Sequence, residues 1–123
     1  MRRVVMEQLQ DRSTQDEFIF SLRCSDCGDV WKSEAVRFSR AGVKPETPEK
    51  KIIFDTLYRK ERESAMNRAC KAAVTMVNFC PICRRLVCDY CFLICDDLDM
   101  CQSCADRLQE TGQRVASREN DKD

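Results

Sequence analysis

The chain contains no histidine. It therefore lacks the side chain most often used as a general base near neutral pH, which is also the commonest ligand of catalytic zinc. Aromatic residues make up only 7% of the chain and charged residues 34%, a thin supply for a core at this length. No apolar run approaches a membrane span. The opening MRRVVMEQLQDRS turns polar after Met6, so no secretory signal is read there. A cytoplasmic protein without a membrane role is the expectation. Lysine plus arginine and aspartate plus glutamate number 21 each, which is not the basic excess typical of nucleic-acid binding.

What the chain does have is ten cysteines. Eight of them form four C-x-x-C pairs: Cys24/Cys27, Cys80/Cys83, Cys88/Cys91 and Cys101/Cys104. Two intervening residues let a tight turn aim both sulfurs at one ion, and four pairs match the needs of two tetrahedral zinc sites. In a cytoplasmic chain such clustering points to metal rather than disulfides. A site closed by four thiolates has no open position for water, so it is structural rather than catalytic. Two rival chemistries stay open. CPIC looks superficially like a redox dithiol, and Cys83, Cys88 and Cys91 have the C-x4-C-x2-C spacing of an iron–sulfur protein.

Only four residues separate Cys83 from Cys88. The two inner pairs can share one ion, but the loop is tight for two facing knuckles. If Arg84–Val87 carries the chain from one site to the next, the sites interleave. Cys24, Cys27, Cys88 and Cys91 then hold one zinc, and Cys80, Cys83, Cys101 and Cys104 the other. The last pair opens a helix, CQSCADRLQETGQRVA, whose free amides favour thiolates.

The order C-x2-C, long gap, C-x2-C-x4-C-x2-C, C-x2-C resembles the cross-brace treble-clef fingers, among them the FYVE and RING-type modules. The segments CPICRRLVCDYCF, DDLD and CQSCA also resemble the double zinc-ribbon tails of bacterial proteins. The resemblance covers residues 24–28 and 80–105. It implies two zinc ions and names no partner.

Around these pairs the expected fold is α+β: a small, zinc-stabilised, interleaved treble-clef or zinc-ribbon body with short hairpins, a long helical insertion and a C-terminal helix. Residues 1–17 read as a polar arm, and 18–41 as the first knuckle and hairpin. Gly28 stands where a knuckle needs an unusual backbone angle. Residues 42–79 read as loop and helix, 80–118 as the second cluster and last helix, and 119–123 as a frayed tail, one domain overall. Thr47, Pro48 and Glu49 form a helix start, and no glycine or proline follows until after Asn78. One helix of roughly 30 residues, about 45 Å, is expected. Its charged stretch Arg59–Ser64 is free to leave the protein body. Its small residues Ala65, Ala69 and Ala73, followed by Val77, either pack on the chain itself or dock a partner. Cys70 reads as a small buried hydrophobe, and Cys95 as an unpaired thiol near the cluster.

The functional expectation is a non-catalytic zinc protein, not an enzyme, that binds another protein, or itself through the long helix. A nucleic-acid-binding zinc ribbon is the alternative, with Arg84, Arg85, Lys50 and Lys51 as candidate phosphate contacts. An iron–sulfur or redox-switch protein ranks below both.

Overall fold

The computed structural model of the chain describes residues 1–94 and 98–110. Cys95, the continuation of the last helix toward residue 118 and the tail 119–123 lie outside the described residues. The fold is mixed α+β, with three α-helices and short antiparallel strand pairs among the described residues. No described helix is long and apolar enough to cross a membrane. The chain groups into two compact units that cut across the segments expected from the sequence. Arg2–Leu22 joins Trp31–Thr75, and Arg23–Val30 joins the described residues from Met76 onward.

The first unit is built on a long helix. Residues 1–17 do not form a free arm. Helix α1 (Arg2–Gln8) buries Val5 completely, and strand β1 (Gln10–Asp11) pairs with strand β3 (Phe20–Arg23). Strand β2 (Glu17–Phe18) pairs with β5 (Val36–Arg37), and β4 (Val30–Lys32) joins β3 at the edge of its sheet. Helix α2 (Pro48–Val74) starts where expected. Thr47 is extended and its hydroxyl accepts the Lys50 amide at 3.1 Å, with Pro48 in the first turn. It ends at Val74, earlier than the sequence suggests, because Thr75 caps it by donating to the Ala72 carbonyl at 2.7 Å.

Aromatic rings supply the core. Phe18, Phe38 and Tyr58 pack edge-on or tilted at centroid distances of 5.1 to 5.9 Å. The charged stretch of α2 does not leave the body. Arg62 pairs with Asp11 at 2.6 Å and lies over the Phe20 ring, and Glu61 accepts from Ser39. Ala65, Ala69 and Ala73 are buried, and Cys70 beside them is fully buried, its thiol donating to the Arg2 carbonyl. Small side chains let α1 lie close along α2, so the chain itself takes up this face. Val77 falls beyond the helix, half-buried.

The second unit consists of short hairpins around cysteines. Strand β6 (Asn78–Phe79) pairs with β7 (Leu86–Val87), and β8 (Phe92–Leu93) with β9 (Met100–Cys101). A single 3-10 turn spans Asp89–Cys91, and helix α3 (Gln102–Glu110) closes the described chain. Its buried cluster is Cys24, Cys80, Val87, Met100, Cys101, Cys104 and Ala105. Sulfur occupies most of the space that larger side chains fill elsewhere.

Candidate metal centres

The first two cysteine pairs sit on knuckles of the same construction. In each, the amide of the first cysteine reaches the carbonyl five residues on: Cys24 to Asp29 at 2.8 Å, Cys80 to Arg85 at 2.9 Å. The carbonyl of that cysteine accepts the amide four residues on, from Gly28 at 3.0 Å and from Arg84 at 2.7 Å. Both of these residues take a left-handed backbone, φ 82° at Gly28 and 63° at Arg84. Glycine does so without strain. Arg84 carries a side chain into the same region, and its guanidinium lies 5.5 Å from the Phe79 ring centroid, a contact that offsets part of the cost. A Cβ on Gly28 would come within 3.0 Å of the Arg23 guanidinium. Gly28→Ala should lower thermal stability by about 1–2 kcal/mol, measured by calorimetry on metal-loaded protein. Unchanged stability would show that the knuckle relaxes.

The other ligands come from different elements. Cys88 precedes the 3-10 turn and Cys91 ends it, the Cys91 amide donating to the Cys88 carbonyl at 3.1 Å. Cys101 ends β9, and Cys104 stands in the first turn of α3. The structure brings these residues together as two tetrads, Cys24, Cys27, Cys88, Cys91 and Cys80, Cys83, Cys101, Cys104. Within each, all sulfurs lie within 4.8 Å of one another. This is the interleaved partition rather than one in which neighbouring pairs share an ion.

The spacing fits a single ion. Four sulfurs at about 2.3 Å from a central zinc stand about 3.8 Å apart. The structure has Cys27 to Cys88 at 3.6 Å, Cys80 to Cys104 at 3.8 Å and Cys83 to Cys101 at 3.7 Å. Disulfide sulfurs would stand about 2.0 Å apart. Backbone amides support the sulfurs: Cys88 donates to Cys24 at 3.3 Å, Cys101 to Cys80 at 3.4 Å and Cys104 to Cys101 at 3.4 Å.

Crowding sets the thiols against one another. Burial opposes ionisation of Cys24, but the amides of Cys27, Cys88 and Asp26 outweigh it and lower its pKa to about 6. Cys91 is pushed up, by burial first and then by neighbouring sulfurs. In the second tetrad burial again opposes ionisation of Cys83, yet the Arg85 side chain helps bring it to about 6. Cys101 rises to about 12, chiefly through burial. Four thiols so placed cannot all ionise unaided, and a central cation removes the conflict. The tetrads are thus positioned to bind two metal ions.

The two sites differ in their surroundings. Cys27 is exposed and Cys88 and Cys91 half-buried, whereas Cys80, Cys101 and Cys104 are buried. Arginines serve the second site: Arg85 Nε donates to Cys83 at 3.2 Å, and Arg107 to Cys104 at 3.0 Å. Among the described residues no lysine or arginine donates to a sulfur of the first tetrad.

Arg85 also reaches the first knuckle. It donates to the Ser25 carbonyl at 3.2 Å and to Asp26 at 2.8 Å. Asp26, 7% exposed in its side chain, accepts the Ser103 hydroxyl at 2.7 Å and amide at 3.3 Å. One carboxylate therefore joins the knuckle of one site to the helix start of the other. Burial would raise the Asp26 carboxyl, but Ser103 and Arg85 outweigh it and hold it below its usual value. Sequence reading missed this group. Arg85 reads there as a phosphate contact or a solvated charge, and its partner lies 59 residues away. No local signal marks it.

Comparison with known protein families, with curated proteins and with solved structures finds no match.

Proposed function

We propose that the chain is a non-catalytic zinc protein whose two metal-braced sites present apolar loops to another protein. Zinc suits the donor set, four thiolates at tetrahedral spacing with no position left for water. An iron–sulfur cluster is a poorer fit, because its irons and bridging sulfides would hold the cysteine sulfurs further apart.

The observation that carries the reading is what the braced loops expose. Tyr90, between Cys88 and Cys91, is 93% exposed, and Ile94, just after β8, is 78% exposed. Ile82, between Cys80 and Cys83, is also open to solvent. Large apolar side chains on rigid loops favour a protein partner. Residues 23–30, 76–94 and 98–110 carry four arginines against five aspartates and one glutamate, and each four-thiolate zinc adds further negative charge. A partner with basic charge around an apolar anchor complements this surface, whereas nucleic acid does not. Arg85, a candidate phosphate contact, is occupied with Asp26 and sulfur.

The test compares partner retention by the zinc-loaded chain with that of Tyr90→Ala/Ile94→Ser. The variant should keep its metal and its thermal transition but lose the partner. Retention that survives the substitutions, or nucleic-acid retention that falls steeply with salt, would overturn the reading.

A further inference from the structure

The unit built on α2 holds a recess to which none of the eight paired cysteines contributes. Its volume is about 440 Å³, within the range of roughly 300–1,000 Å³ usual for small-molecule sites. Much of the lining is apolar: Val43, Pro45, Ile53, Phe54 and Leu57. Three cations, Arg40, Lys44 and Lys50, share the lining with the single carboxylate of Glu46. Among the described residues none of these three cations forms an ion pair within the chain.

The recess is a built structure. Ser39 grips the Glu61 carboxylate through both its amide and its hydroxyl, which ties the loop to the middle of α2. The Ala41 amide returns to the Phe38 carbonyl at 3.1 Å, and the Val43 amide to the Arg40 carbonyl at 3.0 Å. Phe54 is set edge-on against the buried ring of Phe38 at 5.3 Å. Yet Val43 is 50% exposed and Ile53 57%. A braced wall that leaves branched apolar side chains in water beside cations held in no ion pair suits something that is itself apolar at one end and anionic at the other.

We propose that this recess binds a small amphipathic anion. The apolar body lies on Val43, Ile53, Phe54 and Leu57, and a phosphate or carboxylate head is held by Arg40, Lys44 and Lys50. Guanidinium and ammonium groups in one lining suit such a head. A free molecule fits better than a membrane surface, because the apolar residues line a concavity rather than a continuous exposed face.

Decyl phosphate, titrated into the full-length zinc-loaded chain below its aggregation concentration and followed by heteronuclear NMR, tests this. Saturable shifts confined to residues 40–57 are expected. Decanol and inorganic phosphate should each bind at least about tenfold more weakly. Lys44→Glu/Lys50→Glu should weaken binding by at least about tenfold, with metal content and thermal transition unchanged. Ile53→Ser, at an exposed position, should weaken it with no change in charge. The proposal fails if shifts are absent or scattered over the chain, if decanol binds equally well, or if charge reversal has no effect. Binding only to phosphatidylglycerol vesicles, or only to an acidic apolar peptide, would equally overturn it. None of these outcomes bears on the cysteine sites.

Discussion

Chelation of the zinc-loaded protein is expected to remove two metals in sequence, first from Cys24, Cys27, Cys88 and Cys91 and then from Cys80, Cys83, Cys101 and Cys104. The first set is the more open, with Cys27 exposed, and its sulfurs rely on backbone amides such as that of Cys88. The second has three buried cysteines, Cys80, Cys101 and Cys104, and has Arg85 and Arg107 donating to its sulfurs. Positive charge beside a four-thiolate site offsets its net negative charge, and burial keeps chelator and oxidant away. Loss of both metals should unfold residues 23–30, 76–94 and 98–110. Their buried cluster is largely sulfur, and structural zinc in small modules contributes about 10–16 kcal/mol of apparent binding energy. Helix α2 should stay helical, because its Thr47 and Thr75 caps and the rings of Phe18, Phe38 and Tyr58 do not depend on metal. A chromophoric chelator with circular dichroism and amide NMR on the same sample measures all three effects. Cys27→Ser should leave one zinc per chain and Cys104→Ser should disrupt the module. Simultaneous release of both metals, or native amide dispersion after complete removal, would contradict this picture.

Asp26→Ala should weaken metal binding at both sites although Asp26 touches no metal-facing sulfur through its side chain. The substitution removes the acceptor of the Ser103 hydroxyl and amide and the partner of Arg85 together. Leaving such groups unmet in a nearly closed position costs about 1–3 kcal/mol. Arg85 is 38% exposed in its side chain, so solvent screens its share and the loss of Ser103 contacts dominates. Freed from Asp26, Arg85 no longer holds a fixed angle at Cys83, and the start of α3 loses the carboxylate that orients Cys101 and Cys104. Groups that orient ligands in this way typically contribute about 10–100-fold to metal affinity. Competition with a chelator of known affinity reads both sites. Asp26→Asn keeps an acceptor for Ser103 but not the charge, so it should fall between the alanine variant and the wild type. A loss confined to the first site would mean that the two knuckles act independently.

Much of the site was legible because C-x-x-C is a local instruction. Two residues between cysteines specify a turn, Gly28 supplies its left-handed residue, and four pairs without histidine select a closed thiolate tetrad. The start of α2 was legible for the same reason, since Thr47 and Pro48 act on the backbone beside them. Where α2 ends was less so, because its length reflects the Thr75 cap against an unbroken run of helix formers. The role of residues 1–17 was hidden, since Val5 offers little periodicity and only its burial in the fold reveals it.

The sequence by itself determined that eight cysteines stand in four pairs spaced to bind metal, and that no histidine accompanies them. Tertiary structure decided which apolar surfaces stay exposed. It covers Ala65, Ala69 and Ala73 within the chain and leaves Tyr90 and Ile94 in water. It also joins the sites through Asp26, Arg85 and Ser103, residues brought together from separations of 59 and 77 positions. The physical reason is range. Turn and cap preferences act over a few neighbouring residues, whereas burial and buried charge pairing depend on which distant segments the fold brings into contact.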